Sequence, residues 1–277
     1  NATIGGSARI NLGTGAVPVN ITGNKTLTKS GTGSVWYRGP ENGAGNAVAS
    51  LLIQAGTFGV ETGNNALGTV PVTVNASAVF SAWGTSGGAA PTTQKNPVTL
   101  NGGTLASAMD GQIWPGGVVL TANSLLSSTD SAEDFSVTGV ISQSGGAYGL
   151  TKGTTSVVTL AGVNTYTGNT TVNAGTLVLA DNAGMKFAIG ANGVNNKITG
   201  AGTSTINGDF TLDLTGASTS NGNSWTLVDT AAKPFGPTFT VHGFTEPADV
   251  WTKPAGSATW TFTEATGLLD AEGDEGA

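Results

Sequence analysis

Short runs of alternating apolar and polar residues recur along the whole chain and predict many thin β-strands. Gly, Asn, Ser and Pro separate the runs, as is typical of turns. Examples are SVWY (34–37), VPVTVNA (70–76), SVVTLAG (156–162) and FTLDL (210–214). A helical period is nearly absent, because its best candidate, NAGMKFAI (182–189), is short and bounded by glycine. The pattern predicts an all-β fold.

A four-residue word recurs within these runs and indicates stacked β-coils. It reads IQAG from Ile53, VNAS from Val74, LNGG from Leu100 and VNAG from Val172. The first spacings are 21 and 26 residues (74 − 53 and 100 − 74), and the last, 72 (172 − 100), equals three steps of 24. A coil of short strands with turns takes about 20 to 25 residues. In each word the apolar residue should point inward, and the Asn should stack on the Asn of the next coil.

The stretch 150–180 resembles the autotransporter-associated β-strand repeat of bacterial surface proteins. The resemblance rests on LTK (150–152), VTL (158–160), NTYTG (164–168) and TTVNAGTL (170–177). A looser copy begins with LTK at Leu27 and reaches AGT at Ala55, with residues 39–50 in place of NTYTG. We expect Lys29 and Lys152 of the two copies to lie just outside an inward-facing Leu.

The resemblance implies a right-handed parallel β-helix that is exported through the outer membrane and serves as a stalk rather than as a catalyst. Only 97 residues (277 − 180) follow Ala180. If the chain is complete, the resemblance therefore implies a freestanding secreted or surface protein.

The chain divides into four predicted segments. These are an N-terminal strand or cap (1–20), a β-helix (21–205), a mainly antiparallel cap or small β-sandwich (206–269) and an acidic, unstructured tail (270–277). Two hairpins are expected in the cap, at 208–230 and 250–262. Four bulky aromatic residues should close the end of the helix, where an open coil would expose unpaired N–H and C=O groups: Trp225, Phe239, Trp251 and Trp260.

Composition narrows the function classes. The net charge is −7 and the ten basic residues are scattered, which argues against nucleic acid as a partner. The absence of Cys excludes disulfides and thiolate metal sites, and no apolar run approaches the ~18 residues of a membrane helix. The chain begins at Asn1 rather than Met, as expected of a processed mature protein. We expect a location outside a bacterium or on its outer surface, and we expect no cofactor or metal.

Catalytic patterns are weak, so we predict a protein that is not an enzyme. Residues 84–88 fit G-x-S-x-G around Ser86, but the motif requires a helix after it and the only His is His242. Asp209 and Asp213 share a strand face at ~13 Å, beyond the roughly 5 to 9.5 Å of glycosidase carboxylates. A carboxylate pair between neighbouring coils would favour a carbohydrate-active enzyme, which remains an alternative.

Two binding surfaces are predicted. Trp36, Tyr37, Arg38 and Trp83 form a possible ligand face on which sugar rings could stack, and Trp114 and Tyr166 also fall in or beside loops. The N-terminal residues Ile4, Ile10 and Leu12 could complete the first coil of their own chain or the open end of a neighbour.

The resulting prediction is a rigid structural rod that can self-assemble end to end, its partner being another copy of the chain. An adhesin or glycan-binding module that uses the loop aromatics is the alternative from another class.

Overall fold

The computed structural model describes residues 1–14, 17–61, 64–84, 92–129 and 133–273. In chain order the strands are β1 (Ala2–Gly5), β2 (Ile10–Leu12), β3 (Thr26–Ser30), β4 (Ser34–Tyr37), β5 (Ser50–Ile53), β6 (Gly56–Val60), β7 (Val72–Asn75), β8 (Ala78–Ala82), β9 (Val98–Asn101), β10 (Thr104–Ser107), β11 (Gln112–Trp114), β12 (Val118–Ala122), β13 (Ser124–Ser128), β14 (Phe135–Val137), β15 (Ile141–Gln143), β16 (Leu150–Lys152), β17 (Val157–Leu160), β18 (Thr170–Val172), β19 (Thr176–Leu179), β20 (Gly184–Ala188), β21 (Ile198–Ile206), β22 (Asp209–Asp213), β23 (Asn223–Thr226), β24 (Val228–Ala232), β25 (Val250–Ala255), β26 (Ala258–Thr263) and β27 (Leu268–Glu272). Within the described ranges a short 3₁₀ turn at Glu41–Gly43 is the only helical element, and no helix there could cross a membrane.

The all-β prediction and the stacked parallel coils are confirmed, since the strands form a β-solenoid of about eight turns. Sheet A contains seven parallel strands in the order β1-β3-β5-β7-β9-β12-β15. Sheet B contains two parallel stacks, β2 to β18 on one side and β11 to β19 on the other, which meet at β21. The meeting is possible because β21 is nine residues long and pairs with β18 through Ile198 and with β19 through Thr203 to Ile206.

Alternation along each strand decides which side chains fill the solenoid. In sheet A, Leu51, Val72, Val98, Val118 and Ile141 occupy one register column, and all are buried. The steps within this column run from 20 residues (118 − 98) to 26 residues (98 − 72). Each apolar residue therefore packs on its counterpart in the next turn, which gives a continuous core along the axis.

The predicted four-residue word is right for three of its copies. Ile53, Val74 and Leu100 stack in successive turns of sheet A. Asn75 and Asn101, which follow two of them, are also neighbours, and Asn101 Nδ2 donates to Asn75 Oδ1 at 3.2 Å. The fourth copy was placed wrongly, because Val172 belongs to β18 and stacks on Lys152 in sheet B. The interval of three equal steps was a coincidence of spacing.

The lysines of the two LTK copies lie inside the solenoid, not outside it as expected. Lys29 and Lys152 are 0% and 1% exposed. The reason is the two-residue period of a strand, which puts Lys29 on the same face as Leu27 and Lys152 on the same face as Leu150. The positive charge of lysine argued for the surface, but strand geometry placed both side chains in the core.

The C-terminal part continues the solenoid before it closes. β22 pairs in parallel with β20, and β24 pairs in parallel with β21. The expected hairpin at 208–230 is therefore wrong, because its first strand stacks as the next turn and its second, β23, pairs with β27. The hairpin at 250–262 is confirmed as β25 and β26 of a four-stranded antiparallel sheet, in the order β23-β27-β26-β25.

The four predicted closing aromatics, Trp225, Phe239, Trp251 and Trp260, are all buried at this end. The ring centroid of Phe239 lies 4.9 Å from that of Phe210 and 5.4 Å from that of Trp251. Of the expected unstructured tail, residues 270–272 form the end of β27, while 274–277 lie outside the described residues. The boundaries of the predicted segments stay predictions.

Candidate binding surfaces of the solenoid

Trp36 lies flat on the outer face of sheet B because its neighbour in the next turn is a glycine. In β4 the inward residues are Val35 and Tyr37, so Trp36 points outward, where its register partner is Gly59. A Cβ at position 59 would lie 2.2 Å from Trp36 Cε3, so the indole covers the bare backbone of β6. Trp83, just after β8, packs its ring edge-on against Trp36 with centroids 5.8 Å apart.

Charged groups surround these two rings. Arg38 Nη2 lies 2.9 Å from Glu61 Oε1, and Arg9 Nη2 lies 3.4 Å from Glu61 Oε2. The Arg9 guanidinium also lies 5.2 Å from the centroid of the Trp36 ring, in cation–π geometry. We call these five residues, Arg9, Trp36, Arg38, Glu61 and Trp83, the aromatic–arginine patch. Two arginines and one glutamate give the patch a net charge of +1.

The patch follows from the coil repeat. Arg38, Glu61 and Trp83 come directly after β4, β6 and β8, which are consecutive parallel strands. Their backbone N–H groups continue the ladder, since Glu61 N donates to the Tyr37 carbonyl and Trp83 N to the Val60 carbonyl, each at 2.8 Å. Sequence reasoning found three members and missed Arg9 and Glu61. The 23-residue offset between Arg38 and Glu61 (61 − 38) is the signal that could have found Glu61.

Tyr37 was predicted to belong to the ligand face but points into the core. It is 0% exposed, and its hydroxyl lies 2.9 Å from the Val19 carbonyl oxygen and 2.7 Å from Asn46 Oδ1. Burial raises its pKa to about 12, against the smaller lowering effect of the Asn46 hydrogen bond. The loop positions expected for Trp114 and Tyr166 are also wrong, because both rings are buried inside the solenoid.

The N-terminal segment forms the first turn of its own chain. β1 pairs in parallel with β3, and β2 with β4, so Ile4 and Ile10 stand beside Lys29 and Val35. Ile4, Ile10 and Leu12 are half-buried against the core. β1 and β2 are the end strands of sheets A and B, and within the described chain their outer edges have no partner strand. Assembly through these residues stays a prediction.

The carboxylates considered for chemistry have separate partners. Asp209 accepts a 2.6 Å hydrogen bond from Thr240 Oγ1 and lies 3.7 Å from His242 Nε2. Asp213 lies 3.1 Å from Lys186 Nζ, and hydrogen bonds from Thr215 and Lys186 hold the pKa of Asp213 below its usual range. The hydroxyl contacts Asp209 rather than the imidazole, so these three groups lack the order of a nucleophilic triad. Ser86 lies outside the described residues.

Glu246, Asp249 and Glu264 bring one carboxylate oxygen each within 4.8 Å of one another. Glu264 accepts a 2.8 Å hydrogen bond from Trp251 Nε1, and its pKa is raised by burial and by the charges of Asp249 and Glu246. Two of the three side chains are exposed, and such surface groups are commonly solvated without an ion. The loop from β24 to β25 folds back on the end of β26, and sequence alone does not reveal this contact.

A curated protein, the adhesin BmaC autotransporter of Brucella suis biovar 1 (strain 1330), is 30% identical over 169 residues. The similar region covers 59% of this chain, which itself spans about 5% of the length of that adhesin. The sequence matches no protein-family model, and no solved structure matches it. Together with the solenoid, the similarity supports a surface β-helix protein. The resemblance to the autotransporter-associated repeat stays a prediction at the level of that specific family.

Proposed function

We propose that this chain is a non-catalytic adhesion module on the outside of a bacterium, in which the solenoid holds the aromatic–arginine patch rigid for an acidic glycan. The single observation that carries the proposal is the pair of stacked indoles flanked by Arg9 and Arg38. An indole face suits the apolar face of a sugar ring, and a guanidinium suits a carboxylate or sulfate. The adhesin to which the chain is similar supports the class of function and the location.

Rigidity is the reason for expecting useful affinity from so small a patch. Trp36 and Trp83 are anchored on neighbouring strands, so little side-chain entropy is lost when a ligand binds. Trp83 is 37% exposed and supplies most of the accessible ring surface, whereas Trp36 is nearly covered.

An array of acidic and neutral glycans tests the proposal. We expect acidic glycans to bind, Trp83→Ala to weaken them about tenfold, and binding to fall with added salt. Ile113→Ala is the matched control, because Ile113 is also 37% exposed but lies on β11, in the other stack of sheet B. Equal losses in the two variants, or an array without signal, would refute the proposed patch.

Self-assembly is the second candidate, and the exposed edge of β1 favours it. The far end of the solenoid is covered by the aromatic cluster and the antiparallel sheet, so the pairing that the fold favours joins two N-terminal ends. Light scattering and electron microscopy over a range of concentrations would detect such dimers. Thr3→Lys on the edge strand should abolish them, while Thr240→Lys, an exposed control position, should not. Monomers at every concentration would dismiss this candidate.

A further inference from the structure

A groove of about 840 Å³ runs along the solenoid at a distance in sequence from the aromatic–arginine patch. Its floor and one side come from four adjacent strands of sheet B, β13, β16, β18 and β21, and from the corners before them. Four strands at ~4.8 Å spacing make the groove roughly 14 Å long. The other side is formed by the loop from β20 to β21 and by the residues after β22. This volume is of the size that holds a small oligomer.

The floor presents hydrogen-bonding groups that the fold leaves unused. Thr151 and Thr171 are direct register partners on neighbouring strands, and their hydroxyls have no partner within the described chain. Asn123 Oδ1 accepts from Gly149 N at 2.7 Å, and Asn169 Oδ1 accepts from Lys197 N at 3.0 Å. These bonds fix both amides and leave each Nδ2 group without an acceptor among the described residues. The result is a row of oriented donors and hydroxyls.

The opposite wall is held in place by the C-terminal sheet. Trp225 Nε1 donates to the Ala191 carbonyl at 2.8 Å, and Ser224 N donates to Asn192 Oδ1 at 2.8 Å. At the base of the loop, Asn196 Oδ1 accepts from Ala188 N at 2.7 Å. Val194, 61% exposed, stands on this pinned loop and lines the groove with an apolar surface. The groove is therefore preformed, which lowers the entropic cost of binding.

The charge of the groove selects the class of ligand. Asp213 is the one ionisable side chain among the residues that line it, and Lys186 neutralises it at 3.1 Å. The lining contains no aromatic ring and no unpaired strand edge for a peptide backbone. We infer that the groove binds a neutral, densely hydroxylated chain, that is, a neutral oligosaccharide. This site goes beyond the proposed function, because its residues and its ligand charge differ from those of the patch.

The test uses a panel of neutral hexasaccharides, namely cello-, malto-, manno- and N-acetylchitohexaose, with oligogalacturonate as the acidic probe and a Ser/Thr-rich peptide as the peptide probe. Binding is measured by calorimetry, and the contact surface is mapped by ¹⁵N NMR. We expect at least one neutral hexasaccharide to bind and to shift the amide signals of Thr151, Asn169 and Val194. The double variant Thr151→Val/Thr171→Val keeps the shape and β-branching but removes two hydroxyls, and should weaken binding about ten- to thirtyfold.

Thr203→Val/Thr205→Val is the matched control, because both residues are half-buried on β21 and do not line the groove. It should leave the affinity within about twofold of the wild type. No binding by any neutral probe, binding only of oligogalacturonate or of the peptide, or equal loss in the control would overturn the inference. Loss in Trp83→Ala with no loss in the groove variant would assign the sugar to the patch, so the two proposals fail separately.

Discussion

Lys29 and Lys152 explain why the chain contains the sequence LTK…AGT twice. Lys29 Nζ donates to the carbonyls of Ser30, Gly31 and Ala55 at 2.8 to 2.9 Å. Lys152 Nζ donates to the Thr154 carbonyl and, at 2.9 Å, to that of Ala174. Ala55 and Ala174 are the first residues of the two AGT corners. Each lysine thus joins its own turn to the corner of the next turn and satisfies carbonyls that face the interior.

Removal of either amine should destabilise the solenoid. Lys29→Met keeps the length and apolar stem of the side chain but leaves three buried carbonyls unpaired, at a cost of about 2 kcal/mol or more. The loss is measured as the free energy of unfolding in urea. Lys25→Met is the control, since Lys25 is exposed. Equal stability of the two variants would contradict the role of the buried amine.

The buried lysines also predict how stability changes with pH. Burial lowers the pKa of Lys152 from 10.5 to about 8, although the charge of Asp134 opposes the shift, and the pKa of Lys29 is lowered by burial as well. Between about pH 8 and pH 10 the unfolded chain binds protons that the folded chain does not, so stability rises with pH. Above about pH 10, Tyr37 and Tyr166 act in the opposite direction, because their pKa values are raised to about 12.

The pH effect is tested by melting temperatures at about pH 8, 9 and 10. The wild type should melt at progressively higher temperature across this window, and Lys152→Met should show a smaller rise, since Lys29 alone then contributes. A wild-type melting temperature that is flat or falls, or an identical slope in the variant, would show that Lys152 titrates normally.

At the scale of the strand, the contact between Trp36 and Gly59 is the most specific packing of the patch. Gly59→Ala should displace the indole, expose it and cost about 1–3 kcal/mol, because the added Cβ overlaps the ring. Removal of the ring should relieve the clash, so Gly59→Ala should be nearly neutral in a Trp36→Ala background. A double-mutant cycle with urea unfolding and tryptophan fluorescence measures this coupling. An equal cost of Gly59→Ala in both backgrounds would show that the ring does not rest on β6.

The strands could be predicted from the sequence because alternation is a local property, but their partners could only partly be predicted. The stack of Ile53, Val74 and Leu100 was visible as spacing, since each turn has a similar length. The partner of Phe210 was not, because the same alternation serves a hairpin strand and the next turn of a solenoid. The inward positions of Tyr37 and Lys152 follow from strict alternation, and general surface preferences of polar residues concealed them.

The candidate sites were predictable to a smaller extent for the same reason. Trp36 and Trp83 stand out in the sequence as aromatic residues, but their contact depends on two successive turns being in register. The groove could not be predicted at all. Thr151 and Thr171 meet only through pairing of β16 with β18, and Val194 lines it only because Trp225 pins its loop.

At the scale of the whole molecule, the two ends of the solenoid differ. The N-terminal end presents β1 and β2 as edge strands, while the C-terminal end is covered by the antiparallel sheet. Phe239 packs against Phe210, Phe235 and Trp251 in this cover. In a solenoid each turn contacts only its neighbours, so damage to the cover should open the last turn without unfolding the middle.

A comparison of two Phe→Ala variants tests this difference between the ends and the middle. Phe80 and Phe239 are both buried, so each substitution removes the same side chain, at a cost of about 3–5 kcal/mol. Phe80 stacks between turns, on Phe58 and Leu105, so Phe80→Ala should lower the melting temperature and leave the protein monomeric. Phe239→Ala should expose strand edges at the C-terminal end and give oligomers well below its melting temperature. Light scattering measures the oligomers, and the same association state in both variants would show that the aromatic cover does not protect an edge.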